Sequence, residues 1–282
     1  MNTIRLGNRT LGGPNPFFLI AGPCVIESEE HCLRMAEFMQ ELTSRLGIVF
    51  IFKASFDKAN RSSVCSYRGP GLEAGLKTLD RVKRAFGVPV LSDVHEVWQV
   101  ALASDVLDVI QIPAFLSRQT DLILAAVSTG RLVNVKKGQF LAPMDVTNIV
   151  EKAKSVTSEP KLIITERGAS FGYNNLVVDF RSLPIIRSLG CPVVFDATHS
   201  VQLPGGAGRA SGGQSEFIPA LARAAVAVGV DGVFLEIHDN PAAALSDGPN
   251  SLALELVEPL LRSLQAIDRL VKAADPAEKT AR

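Results

Sequence analysis

The sequence carries no charge excess, no long apolar run and only four cysteines, and each shortage removes a class of protein. Its 29 Lys and Arg are matched by 29 Asp and Glu, so no global field draws the chain to nucleic acid or to a membrane surface. The apolar stretches fall far short of a membrane span, and the N-terminus lacks the charged-then-apolar layout of a signal peptide. Four cysteines, at 24, 32, 65 and 191, are too irregularly spaced to suggest a disulfide framework, which points to a reducing cytoplasm. Also missing is the glycine fingerprint of a dinucleotide-binding sheet, since the first strand runs into Gly22-Pro23-Cys24 instead.

What is present is a repeated alternation of short apolar runs and helical segments. Residues 4–11 alternate weakly around Gly7-Asn8 and predict a small hairpin. A buried strand at 17–22 follows. Ser28 with Glu29-Glu30 then caps a helix whose apolar face carries Leu33, Phe38, Leu42 and Leu46, and Gly47 stops it. Further strands are predicted at 48–52, 88–91, 109–112, 132–135, 162–165, 193–195 and 233–237. Helices are predicted at 72–86, 118–128, 144–156, 183–189, 217–228 and 252–271. Eight strands in 282 residues with no interior linker imply an α/β chain folded as one (β/α)8 TIM barrel domain over 1–282. Residues 1–12 then form the leading hairpin and 273–282 a frayed tail.

A parallel barrel presents its chemistry where strands end, and residues 193–206 illustrate this best. Val193-Val194-Phe195 gives way to Asp196 and Thr198-His199, then to the glycine-rich segment 204–213. Lys53, Lys58, Lys136 and Arg167 stand at or just past other strand ends, so a closed barrel aims them at one mouth. Several like charges brought out of water need a counter-anion, which predicts a multiply charged substrate with Arg167 in a bidentate grip. The alternative is that each lysine solvates its own loop. A Schiff base at Lys136 is a second alternative.

Cys24 follows the first strand, His199 the seventh, Glu236 ends the eighth and Asp247 lies in the loop beyond. Closure makes these strands neighbours, and thiolate, imidazole and two carboxylates suit a divalent ion such as zinc, iron or manganese. No local spacing signature marks such a site, and a buried free cysteine as plain core is the competing reading. Cys32 and Cys191 read as structural and Cys65 as incidental. His31 reads as a helix-surface residue, Trp98 as packing on an early helix, and His95 and His238 as mouth residues able to support the ligands by hydrogen bonds.

One segment is chemically odd for a generic loop: Lys53-Ala54-Ser55-Phe56-Asp57-Lys58-Ala59-Asn60-Arg61-Ser62-Ser63. It resembles the signature of the 3-deoxy-D-manno-octulosonate 8-phosphate synthase family. Further matches run in order along nearly the whole chain. Among them are Ala21-Gly22-Pro23-Cys24, Ser66-Tyr67-Arg68-Gly69-Pro70-Gly71, Ser92-Asp93-Val94-His95-Glu96, Gln111-Ile112-Pro113-Ala114-Phe115, Asn134-Val135-Lys136-Lys137, Arg167-Gly168-Ala169 and Asp247-Gly248-Pro249.

The resemblance implies a (β/α)8 barrel, commonly a homotetramer, that condenses phosphoenolpyruvate with arabinose 5-phosphate for lipopolysaccharide synthesis and releases phosphate. It implies that Lys53, Lys58, Lys136 and Arg167 cradle phosphoenolpyruvate, with Gln111 and Asp93 nearby and His199 at the reacting centre. Asn60, Arg61 and Ser62 are implied to grip the pentose phosphate, reaching in from a neighbouring subunit, and 204–213 resembles a loop that closes over the substrates. Metal-dependent members carry cysteine after the first strand and the others asparagine, so Cys24 implies a metal held with His199, Glu236 and Asp247. Ser246 departs from the cysteine that many metal-independent members carry there, which agrees. The nearest rival is the related synthase acting on erythrose 4-phosphate, against which Lys58–Ser63 speaks; a non-catalytic barrel that binds anionic sugars is the rival from another class.

Overall fold

A computed structural model describes residues 3–206 and 212–274. Eight parallel strands close into a ring: β1 (Phe18–Gly22), β2 (Phe50–Lys53), β3 (Val90–Asp93), β4 (Val109–Ile112), β5 (Leu132–Lys136), β6 (Leu162–Glu166), β7 (Val193–Asp196) and β8 (Gly232–His238). β8 closes the ring, pairing Gly232 with Val194 of β7 on one side and Glu236 with Gly22 of β1 on the other. Outside lie α1 (Glu29–Leu46), α2 (Leu72–Phe86), α3 (Val97–Val106), α4 (Thr120–Ser128), α5 (Val146–Val156), α6 (Ser182–Ser188), α7 (Ile218–Val228) and α8 (Leu254–Ala274). The expected (β/α)8 barrel and leading hairpin (Ile4–Leu6 with Arg9–Leu11) are both present.

Strand alternation sorts side chains into two cores. One set faces the helices, where Leu19, Phe52, Val90, Ile110, Val133, Ile164, Phe195 and Leu235 pack against Met35, Leu79, Ile123, Ile149 and Leu261. The other fills the barrel: Phe18, Ile20, Ile51, Leu91, Val109, Leu132, Ile163, Val194 and Phe234, closed from below by Leu6 and Leu11 of the hairpin. The barrel is therefore plugged, and anything that binds must do so at the C-terminal mouth. Two residues further along the same inward parity stand Lys53, Asp93, Gln111, Asn134, Thr165, Asp196 and Glu236, with Lys136 one step beyond Asn134.

Local signals place the ends of α1 as expected: Ser28 Oγ accepts from the His31 amide at 3.1 Å, and Gly47 adopts φ 68°. α3 is the early helix expected to carry Trp98, but the sequence sets no bounds for it. Its apolar residues are not confined to one face, with Val97, Trp98 and Leu102 exposed, so no helical periodicity marks it. Two expectations are overturned here. Trp98 is not core packing but 59% exposed, its Nε1 donating to Glu96 at 2.7 Å. His31 is not a surface residue but buried, its ring 4.6 Å from that of His238. The cause is tertiary: the end of β8 packs over the first turn of α1. Of the expected tail, 275–282 lies outside the described residues, as do 207–211 of the expected closing loop.

Candidate active site

A cavity of about 420 Å³ opens at the mouth, lined by Lys53, Lys58, Asn60, Arg61, Ser62, Asp93, Gln111, Lys136, Arg167 and His199, with Asp247 on its rim. Cys24 and Glu236 adjoin it, Glu236 Oε1 standing 3.7 Å from His199 Nε2. The structure thus brings the thirteen sequence-predicted site residues into one neighbourhood. Asn60, Arg61 and Ser62 line the cavity of their own barrel, where the resemblance had implied a reach from a neighbouring subunit. The loop holding them folds back on itself, with Lys58 N bonded to Arg68 O at 2.7 Å and Arg61 Nε to Tyr67 O at 3.0 Å.

The floor is a hydrogen-bonded chain across four strands. Thr165 Oγ1 donates to Asn134 Oδ1 at 2.7 Å, Asn134 Nδ2 to Gln111 Oε1 at 2.7 Å, and Gln111 Nε2 to Asp93. Ser55 Oγ completes it, donating to Asp93 Oδ2 at 2.8 Å. Such a chain leaves each side chain one orientation, so the floor is preorganised.

The sequence argument expected cations in want of a counter-anion. The structure corrects this in part, because three lysines already face carboxylates. Lys53 Nζ donates to Glu236 Oε1 at 2.7 Å and to Cys24 O at 2.8 Å, Lys136 Nζ bonds Asp196, and Lys58 Nζ stands 3.7 Å from Asp93. Arg167 differs. One nitrogen meets only the Gln202 amide at 2.8 Å, while its Nη1 is buried with no hydrogen-bond partner. Arg61 Nη2 is likewise buried and unpartnered. Two unfilled guanidinium donors lining one cavity suit an anionic ligand there.

Burial would raise the carboxyls here, but the lysines win: Lys58 and Lys53 hold Asp93 well below its ordinary value, and Lys53 foremost, with Lys58, brings Glu236 to about 2. Lys136 goes the other way. Burial pulls it down to about 8 against the opposing attraction of Asp196, with its Nζ 3.1 Å from the Phe234 ring centroid. Raising the pH through about 8 therefore removes its charge and its hold on an anion. The expected result is a KM for the anionic substrate that climbs above that pH, with Lys136→Arg moving the climb upward. A flat KM through that range would contradict the assignment.

The ligand corner depends on a close approach. A Cβ on Gly22 would lie 2.0 Å from Lys53 O, so only glycine lets β1 deliver Cys24 against β2. Asp247, with φ 51°, turns its carboxylate back to Cys24, whose Sγ lies 3.1 Å from Oδ2 and 2.8 Å from Ser246 Oγ. Donor atoms of Cys24, Glu236 and Asp247 all lie within 4.8 Å of one another. Burial, then Asp247 and Glu236, pushes the Cys24 thiol well above its ordinary value. Glu236 Oε2 is buried and unpartnered.

Among the described residues a second group, Glu27, His31 and His238, is as compact. Its hydrogen bonds argue for a latch. His238 Nδ1 accepts from the Asn240 amide at 2.9 Å, which puts the ring proton on Nε2, where it meets Glu27 Oε1 at 3.2 Å. Glu27 Oε1 also accepts from Leu245 N at 2.8 Å, tying down the loop that carries Asp247. Sequence reading missed Glu27, and with it Ser55, Asn134, Thr165 and the full role of Asp196. Inward strand parity was the available signal for all but Glu27 and Ser55.

Fold and site together define a (β/α)8 barrel enzyme whose mouth is built for a phosphorylated, multiply charged substrate. The comparisons with known proteins narrow that class. The chain belongs to the DAHP synthetase I family, which matches residues 3–273. It is 59% identical over 271 residues to the 2-dehydro-3-deoxyphosphooctonate aldolase of Syntrophotalea carbinolica, covering 96% of this chain and 98% of that one. Proteins of the same name from Cyanothece sp. and Desulfosudis oleivorans are each 62% identical. The first match covers 92% of this chain and 94% of that relative, the second 94% and 95%. No helix among the described residues is long and apolar enough to cross a membrane.

Proposed function

We infer that the protein condenses phosphoenolpyruvate with D-arabinose 5-phosphate and water, giving 3-deoxy-D-manno-octulosonate 8-phosphate and inorganic phosphate for lipopolysaccharide synthesis. The observation that carries this is near-full-length identity of about 60% to proteins named for that product, on a chain whose mouth holds unfilled guanidinium donors. Arg167, Lys136, Lys53 and Lys58 would hold phosphoenolpyruvate over the Gln111–Asp93 floor. Asn60, Arg61 and Ser62, on the rim, would hold the pentose phosphate, presenting its aldehyde to C3.

The bonds change as follows. The enol π pair forms the C3–C bond to the aldehyde carbon, whose oxygen takes a proton. Water adds its oxygen to C2 and gives up a proton. The hemiketal phosphate then loses phosphate by C–O cleavage, leaving the ketone. The ammonium groups and Arg167 stabilise the charge that grows on the intermediate.

Cys24, His199, Glu236 and Asp247 suit a divalent cation, zinc, iron or manganese. The buried, unpartnered Glu236 Oε2 and the crowding of a thiol with two carboxylates support that fit. When bound there, the ion would polarise the aldehyde or orient the water. A homotetramer in the cytoplasm belongs to the same proposal. Phe171 (71% exposed) and Tyr173 (98%) offer apolar surface for a neighbouring copy, and sedimentation of the native protein as a monomer would remove that part.

Phosphoenolpyruvate labelled with ¹⁸O in its C–O–P oxygen tests the chemistry. The label is expected in the released phosphate; label retained in the organic product would overturn C–O cleavage.

A further inference from the structure

Asp196, at the end of β7, is fully buried, and five donors converge on it. Oδ1 accepts from the Thr198 amide at 3.1 Å, the Thr198 hydroxyl at 2.9 Å and the His199 amide at 2.8 Å. Oδ2 accepts from His199 Nδ1 at 2.7 Å and from Lys136 Nζ. A carboxylate so surrounded is an acceptor only, so the His199 nitrogen facing it must be the one that carries the proton.

We propose that Asp196 is a positioning residue that fixes His199 as the Nδ1–H tautomer and aims the Nε2 lone pair at Glu236 and the ligand corner. Nε2 stands 3.7 Å from Glu236 Oε1. A lone pair facing a carboxylate is relieved by a proton on the ring nitrogen or by a cation between the two, and the adjoining Cys24 and Asp247 donors make a metal the cation that suits this corner. The Thr198 hydroxyl donates its hydrogen bond to Asp196 and accepts one from Glu236 N at 3.2 Å. One carboxylate therefore sets the ring of one candidate ligand and the backbone of another. Its bond to Lys136 extends the same order to the substrate cations. The use of the lone pair rests on the metal reading above; the tautomer rests on these hydrogen bonds alone.

Asp196→Asn probes both. If the amide oxygen keeps the three donors on the Oδ1 side, its NH₂ replaces the acceptor that faced His199 Nδ1. The ring must then move its proton to Nε2, and the lone pair is lost from the ligand corner. Imidazole ¹⁵N spectra of metal-free protein at alkaline pH read the tautomer, with His199→Gln assigning the resonance. The parent is expected to be Nδ1–H and Asp196→Asn to be Nε2–H. Cobalt(II) affinity, followed by visible absorption against a competing chelator, is expected to fall about 10–100-fold in the variant.

A parent His199 found as Nε2–H overturns the proposal even if the variant does not fold. So does an unchanged tautomer in a folded variant, or unchanged cobalt affinity beside a switched one. A parent that shows the expected tautomer and switch but binds no cobalt upholds the role of Asp196 on His199 and removes the metal reading instead.

Discussion

Replacing Lys53 with methionine will destabilise the fold by about 3–5 kcal/mol and end turnover, because it strands a buried charge. The Lys53 side chain is 1% exposed and that of Glu236 0%, with 2.7 Å between Nζ and Oε1. Methionine replaces the stem but leaves Glu236 without its main counter-charge and the Cys24 carbonyl without a donor. Lys58, 4.0 Å from the same oxygen, compensates in part and places the loss toward the lower end of that range.

The loss should depend on pH in a defined direction. In the parent, the carboxyl of Glu236 is depressed to about 2. Its pairing therefore stabilises the fold fully above the ordinary carboxyl range, about pH 4.5, and this is lost as pH falls toward 2. In Lys53→Met the carboxyl no longer gains from that pairing. The stability gap between parent and variant should be widest at neutral pH and narrow on acidification. Urea unfolding of metal-free protein across that range measures it. A variant as stable as the parent at neutral pH would contradict the buried pair.

On the proposed metal reading, removing divalent cation is expected to lower phosphate release at least about 100-fold, since a Lewis acid contributes several kcal/mol and each 1.4 kcal/mol is a factor of ten. Adding zinc, iron or manganese back should restore it. Cys24→Ala should reproduce the loss without recovery, because it removes the sulfur that lies 3.1 Å from Asp247 Oδ2. The fold should survive, since Cys24 sits past the end of β1 and outside both apolar clusters. With cobalt(II), the parent should show thiolate-to-metal absorption that the variant lacks. Full activity in protein verified to be metal-free would remove the cation from the proposal.

The barrel was legible because the strands are compact, mostly apolar runs, most of which stop at a polar residue. The cationic mouth was legible because Lys53, Lys136 and Arg167 fall at those stops. The bounds of α3 were not, because Val97, Trp98 and Leu102 face solvent and blur its period. His31 was misplaced for a related reason. Helical spacing describes a helix alone, and burial of His31 comes from Asp239 and His238, more than 200 residues away. The pairing of the lysines with carboxylates was hidden by distance in sequence as well. Lys136 and Asp196 are 60 residues apart and Lys53 and Glu236 183 apart, so only barrel closure reveals the pairs.

Phosphate release from phosphoenolpyruvate, measured in parallel with arabinose 5-phosphate and with erythrose 4-phosphate, tests the central claim most directly. Asn60, Arg61 and Ser62 line the cavity beside the lysines. Sustained release with the pentose phosphate and background release with the tetrose is the expected result. Release with the tetrose alone, or with neither sugar in metal-replete protein, would contradict it.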